Sequence, residues 1–262
     1  MPRTVRRRRA LVALLAAALL VPLTACGGDD GGKDGDADGG NRVELTVLAA
    51  ASLTDVFETA GRAYRDSHPD TTVTFSFAGS QELAAQVRQG IGADVLVTAD
   101  TATMDGLRAD TRAPAVIARN RLVIAVEEGN PHRVDALEDL ADRKLKVVLA
   151  APQVPAGRYS ARVLDAAKLT VRPVSEEPNV RAVLSKVALG EADAGLVYAT
   201  DAAAEPGKVD AVAIPDERNA IASYPAAALK EAPHAKEAAD FVAWLRGPEA
   251  QRILRDAGFQ QP

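Results

Sequence analysis

Cysteine is almost absent from the 262-residue chain: the one thiol is Cys26, near the N-terminus. The body beyond it has no residue for a disulfide, a metal thiolate or a sulfur nucleophile. Histidine is nearly as scarce. His68, His132 and His234 lie far apart in polar stretches without metal-site spacing, so they read as surface residues and no cation site is expected. The signatures GxSxG, SxxK, the P-loop and GxGxxG do not occur. Ser52 and Ser80 have no base beside them in sequence, so the case for an enzyme starts poor. Positive charge is short as well, 31 Lys+Arg against 36 Asp+Glu, which argues against a nucleic-acid partner. Apolar runs are short too, the longest being residues 10–21, which is not enough to span a bilayer.

That run is framed as an export leader. Arg3 and Arg6 to Arg9 precede it and "LTAC" closes it at Cys26, so residues 1–25 read as a signal peptide. The segment resembles a bacterial lipoprotein lipobox. This implies cleavage before Cys26, acylation of its thiol and a lipid anchor on the outer face of the cytoplasmic membrane. "RRRRALV" also fits twin-arginine export, the weaker reading because several arginines are ordinary in such leaders. Loss of the leader removes five arginines and no acid, moving the formal charge from −5 to −10. Residues 26–42, rich in Gly and Asp, read as a flexible tether. Within them "DGDADGG" imitates the start of a calcium loop, but the twelfth position is Leu45 where a Glu is needed, so a solvated linker is expected.

From Val43 the pattern alternates. "VELTVLAA", "TTVTFSFA", "ADVLVTA", "NRLVIAV", "KLKVVLAA" and "ADAGLVYA" read as strands. Helical spacing joins Leu53, Val56, Phe57, Ala60, Ala63 and Tyr64, and recurs in "QELAAQVRQG" and around 156–168 and 180–189. Alternation of this kind predicts an α/β fold, a parallel or mixed sheet flanked by helices.

Four strand-to-helix turns are small and free of charge at their centre. Ser52 follows "LTVLAA", Ser80 follows "TVTFSFA", Ala156 follows "KVVLAA" with Pro155 suited to the first helical position, and Val180 opens a helix that Asn179 can cap. Tyr198 ends a fifth strand. Taken singly, each serine is more often an N-cap and the tyrosine more often packing. Together they have more weight, because open α/β sheets bind ligands where strand carboxyl ends meet helix N-termini, and those termini favour anions.

These residues sit inside stretches that carry a resemblance: "VLAAASLTDVF", "FAGSQELAAQV", "GADVLVTAD", "VPAGRYSARVL", "NVRAVLSKVALGEADAGLVYATDA" and "FVAWLRGPEAQRILRDAGF". From about Val43 to Phe259 the chain resembles the periplasmic molybdate-binding proteins of ABC importers. The resemblance implies a two-lobed periplasmic-binding-protein fold of type II, with the ligand in the interlobe cleft. Lobe I would be 43–121 plus 222–262, and lobe II 122–221. It implies that molybdate is held by the hydroxyls and amides of Ser52 and Ser80, the amides of Ala156 and Val180, and the hydroxyl of Tyr198. It further implies a monomer without cofactor or catalytic residues that delivers molybdate, and tungstate, to an ABC permease. Gly79 and Gln81 stand where such proteins often have serines, and Asn179 where an acid is common. Such a donor-only shell suits a tetrahedral dianion, since a protonated oxyanion would find no acceptor.

Arg158 and Arg181 adjoin this site, and solvent exposure on the first turns of their helices is expected over an anion clamp. The rival ligand is another tetrahedral dianion, sulfate above all. The rival classes are an enzyme on the same fold, such as a deaminase-type pyrrole polymeriser, and a structural surface lipoprotein. The first would need a cysteine in the folded body, which the chain lacks.

Overall fold

Each predicted strand is an apolar run and each predicted helix has one apolar stripe, and both kinds of element form where that pattern requires. A computed structural model describes residues 42–262; the leader, Cys26 and the tether up to residue 41 lie outside the described residues. In chain order the elements are β1 (Val43–Ala50), a 3₁₀ turn (Ala51–Leu53), α1 (Thr54–Ser67), β2 (Thr71–Ala78), α2 (Ser80–Arg88), β3 (Val95–Val97), α3 (Thr101–Asp105) and β4 (Ala115–Glu127). There follow β5 (Val147–Ala150), α4 (Pro155–Ala166), β6 (Ser175–Glu177), α5 (Val180–Ala188), β7 (Ala194–Tyr198), α6 (Ala199–Ala203), β8 (Val209–Ala213), β9 (Ile221–Ala228), α7 (Ala235–Trp244) and α8 (Pro248–Asp256). No helix among the described residues is long and apolar enough to cross a membrane.

The strands form two groups. In the first, β1 lies between β2 and β3 and runs parallel to both, and β9 joins β3 antiparallel. In the second, β5 lies between β6 and β7, parallel to both. The thirteen-residue β4 belongs to each. Its Ala115–Arg121 part pairs with β9, and from Leu122 onward it pairs with β7 and β8. At the change of partner the Asn219 carboxamide takes the place of a strand: its Oδ1 accepts from the Leu122 amide at 3.1 Å, and its Nδ2 donates to the Leu122 carbonyl at 2.8 Å.

Periodicity alone does not find β9, because Pro225 stands in its middle. The strand tolerates a residue without an N–H because the β4 pairing shifts register opposite it, between Val116 and Ala118. The Pro225 carbonyl still accepts from the Thr98 amide at 3.1 Å. The scarce aromatics gather under α1, where Tyr64 meets Phe241 and Trp244 edge-on and Phe57 meets Phe75 at 5.6 Å. Full burial of an aromatic side chain stabilises by about 1.5–3 kcal/mol, so this cluster is a main anchor of the first group.

Candidate functional site

The parallel strands fix where a site can form. β1, β2, β5, β6 and β7 each end, at the carboxyl edge, in a turn that opens a helix or 3₁₀ segment. Those turns meet in one pocket, which Ser52, Ser80, Ala156, Val180 and Tyr198 all line, beside Ala50, Ala51, Ala78, Gly79, Ala99, Val154, Pro155 and Asn179. Its lining is alanine, glycine, serine, valine, proline, asparagine and tyrosine, with no charged side chain.

Neither serine caps its own helix. Ser52 sits in the 3₁₀ turn before α1, and its Oγ lies 3.0 Å from the hydroxyl of Tyr224 on β9. Ser80 is the first residue of α2 behind Gly79, and its Oγ accepts from the Ala99 amide at 3.0 Å. Asn179 is the cap of α5, its Oδ1 accepting from the Ala182 amide at 3.0 Å. Pro155 opens α4 and leaves the Ala156 amide in the first turn; such first-turn amides have no intrahelical acceptor. The turn before α4 demands Gly157, since a Cβ there would run into the carbonyl oxygens of Ala150 and Ala151.

Tyr198 is 1% exposed and its hydroxyl has no hydrogen-bond partner within the protein. Burial holds its phenol well above 10, so it stays neutral and able to donate at any working pH. The backbone at Tyr198 is fixed by Asp201, whose Oδ2 accepts from the Tyr198 amide at 3.2 Å.

Arg158 and Arg181 are half-buried in ion pairs where free solvent exposure was expected, and neither lines the pocket. Each reaches from the second strand group to the first. Arg158 Nε donates to Asp100 Oδ2 at 2.9 Å and Nη2 to Thr103 Oγ1 at 2.7 Å. Arg181 donates at 2.6 Å to Asp55 on α1 and at 2.6 Å to the fully buried Asp201. A third contact joins Gln81 Nε2 to the Pro178 carbonyl at 2.8 Å. No local pattern marks the partners Asp100 and Asp55, which lie 58 and 126 positions from their arginines along the chain. The histidines are half-exposed and have separate partners: His132 near Asp193, His234 near Asp94, and His68 stacked on Tyr64. Among the described residues no three His, Cys, Asp or Glu groups could hold a metal ion.

Comparison with known proteins agrees with this geometry. Residues 45–260 match the family model of the bacterial extracellular solute-binding proteins. Molybdate-binding protein ModA of Mycobacterium tuberculosis is 38% identical over 95% of this chain and 97% of its own. The Azotobacter vinelandii periplasmic molybdate-binding protein superposes with a TM-score of 0.71 at 24% identity, over 83% of this chain and 99% of that one. The sulfate-binding protein SubI of M. tuberculosis shares the fold, with a TM-score of 0.73 at 18% identity over 84% and 87% of the two chains. With its whole folded body matched, this chain belongs to the bacterial extracellular solute-binding protein family.

Proposed function

We propose that this protein binds molybdate, with tungstate as a near-equal ligand, outside the cytoplasmic membrane and hands it to the permease of an ABC importer. The observation that carries the reading is the unpartnered Tyr198 hydroxyl, buried in a pocket that Ser52, Ser80 and the helix-opening residues Ala156 and Val180 also line. A buried hydroxyl left without a partner costs about 1–3 kcal/mol, and an anion's oxygen removes that cost. Ser52 and Ser80 would each give a hydroxyl and an amide, Ala156 and Val180 an amide, and Tyr198 its hydroxyl. Seven such bonds to a charged ligand, at roughly 1.5–3 kcal/mol each, total about 10–20 kcal/mol before the cost of association, consistent with micromolar to nanomolar affinity. The relationship to ModA at 38% identity favours molybdate over sulfate as the natural ion.

The two strand groups act as lobes, 43–121 plus 222–262 and 122–221, that close on the ion by bending at β4. No step of this function calls for a catalytic residue or a cofactor, and the protein acts as a monomer. Calorimetric titration of residues 43–262 is the direct test. Molybdate and tungstate should bind at least tenfold more tightly than sulfate and far more tightly than phosphate. Sulfate displacing bound molybdate at comparable concentration would make the protein a sulfate receptor instead.

The anchor is proposed to be Cys26, on the strength of the leader and the "LTAC" that precedes the tether. Replacing Cys26 by Ala in the full chain should release the protein from membranes or leave uncleaved precursor. Unchanged fractionation would rule the anchor out.

A further inference from the structure

Two turns that carry pocket residues from opposite strand groups share one clamp. In the first group the turn after β3 runs through Thr98, Ala99 and Asp100 and is pinned on both sides. The Thr98 amide donates to the Pro225 carbonyl at 3.1 Å, and the Thr98 hydroxyl donates to the Asp100 carbonyl at 2.7 Å. Asp100 caps α3, its Oδ1 accepting from the Thr103 amide at 3.1 Å. Between them Ala99 lines the pocket and gives its amide hydrogen to Ser80 Oγ at 3.0 Å. The serine oxygen is thus held by a turn that is itself held. In the second group the first turn of α4 contains Ala156, and Arg158 follows two residues on. Arg158 joins the two turns. Its Nε donates to Asp100 Oδ2 at 2.9 Å, and its Nη2 donates to the same oxygen and, at 2.7 Å, to Thr103 Oγ1. Its Nη1 donates to the Gln153 carbonyl, in the turn that leads into α4. Every one of these contacts has a fixed direction, because a guanidinium has hydrogens to give and no acceptor. Asp100 is 3% exposed, so on its side solvent does not compete for the pair.

The structure assigns Arg158 as a specificity-determining positioning residue: its planar fork fixes the gap between Ser80 and Ala156, and so tunes the pocket to one size of tetrahedral dianion. The inference rests on the oxyanion reading of the pocket. Neither Arg158 nor Asp100 lines the pocket, so the pair acts on the ion through the turns it holds. Sulfate has the charge and shape of molybdate but shorter bonds to oxygen. Donors held at the spacing of the larger ion cannot follow the smaller one inward, and each stretched hydrogen bond weakens. Arginine suits this task where lysine does not. A guanidinium is rigid and presents several N–H vectors in one plane, whereas an ammonium is a point charge on a flexible stem.

Arg158→Lys keeps a positive charge opposite Asp100 and loses the fork, so it leaves no buried carboxylate without a partner. In calorimetric titrations of this variant, molybdate affinity is expected to fall about tenfold while sulfate affinity holds within about twofold. The preference for the larger ion then shrinks about fivefold or more. An undiminished preference in the lysine variant would mean that charge alone is enough, and would overturn the inference. So would an equal loss for both anions, the mark of a merely structural role. A second arm uses the other partner: Asp100→Asn should reproduce the loss of preference, and the double variant should lose little more than either single one, since the two residues act as a unit. Losses of preference that simply add would count against the pair. Failure of the unaltered protein to bind either dianion would instead strike the oxyanion reading, which separates the two.

Discussion

Replacing Gly79 by valine is expected to weaken molybdate binding at least a hundredfold while leaving the fold almost as stable as before. Gly79 has φ −61° and ψ 138°, a conformation open to any residue, so its backbone is not what requires glycine. What requires it is the approach of the second strand group. A Cβ at Gly79 would stand 2.5 Å from the Pro178 carbonyl oxygen, and main-chain oxygen cannot swing aside as a side chain can. The clash is relieved by keeping the halves apart. Ser52 and Ser80 then face the anion from one side while Ala156, Val180 and Tyr198 stand off on the other. Losing even two of these three charge-assisted bonds costs about 3–6 kcal/mol, a hundredfold or more in affinity. Calorimetry beside a thermal melt separates the effects, and Gly79→Ala should give an intermediate loss. Unchanged affinity in the valine variant would mean that the halves do not meet at Gly79 when the ion is bound.

Replacing Arg181 by methionine should be the most damaging change to stability, and the damage should depend on pH. Asp201 has 0% exposure, and burial pushes its carboxyl from 3.8 up to about 6 even against the pull of Arg181 and the Tyr198 amide. The folded chain thus binds more protons than the unfolded one between those values. Asp201 makes stability fall as pH rises through that window and level off above it. Without the guanidinium the buried charge loses its partner, which costs about 3 kcal/mol, and the upper edge of the window moves higher. Urea unfolding should therefore show a small loss at pH 5 and a large one at pH 8. Adding Asp201→Asn should restore most of the difference. An equal loss at both pH values would mean that the carboxylate is not what Arg181 holds in place.

Sequence reading reached the parts of the site that rest on local pattern. Ser52, Ser80, Ala156 and Val180 each follow a strand within a few residues and Tyr198 ends one, and strand, small turn and helix can be read from one short window. The contacts that set their orientation could not be read that way. Ser52 and Tyr224 are 172 positions apart, Arg181 and Asp55 126, and Arg158 and Asp100 58. Nothing local marks Tyr224, which sits beside the proline that hides its strand. The arginines look like solvated first-turn residues because a helix surface is the usual place for them. Only the packing of the two strand groups against each other gives them carboxylates to meet. The α/β class was legible from alternation, whereas the splitting of β4 between two sets of partners depends on β8 and β9, whose signals are weak.

That split strand bears on how fast the proposed lobes could part and release a bound ion. Along most of a sheet, bending across a ladder stretches several backbone bonds together. At Leu122 the bonded partner is the side chain of Asn219, which holds both the amide and the carbonyl of that residue. A carboxamide on two rotatable bonds can follow Leu122 through a change of angle, so bending there need not break main-chain pairing. In the proposed opening the activation barrier would lie with the contacts between the two strand groups, chiefly Arg158 with Asp100 and Arg181 with Asp55, together with the ion itself. On that proposal residence time would be set at these contacts and not at β4, and a permease that competed for Asp55 or Arg181 would shorten it without touching the anion.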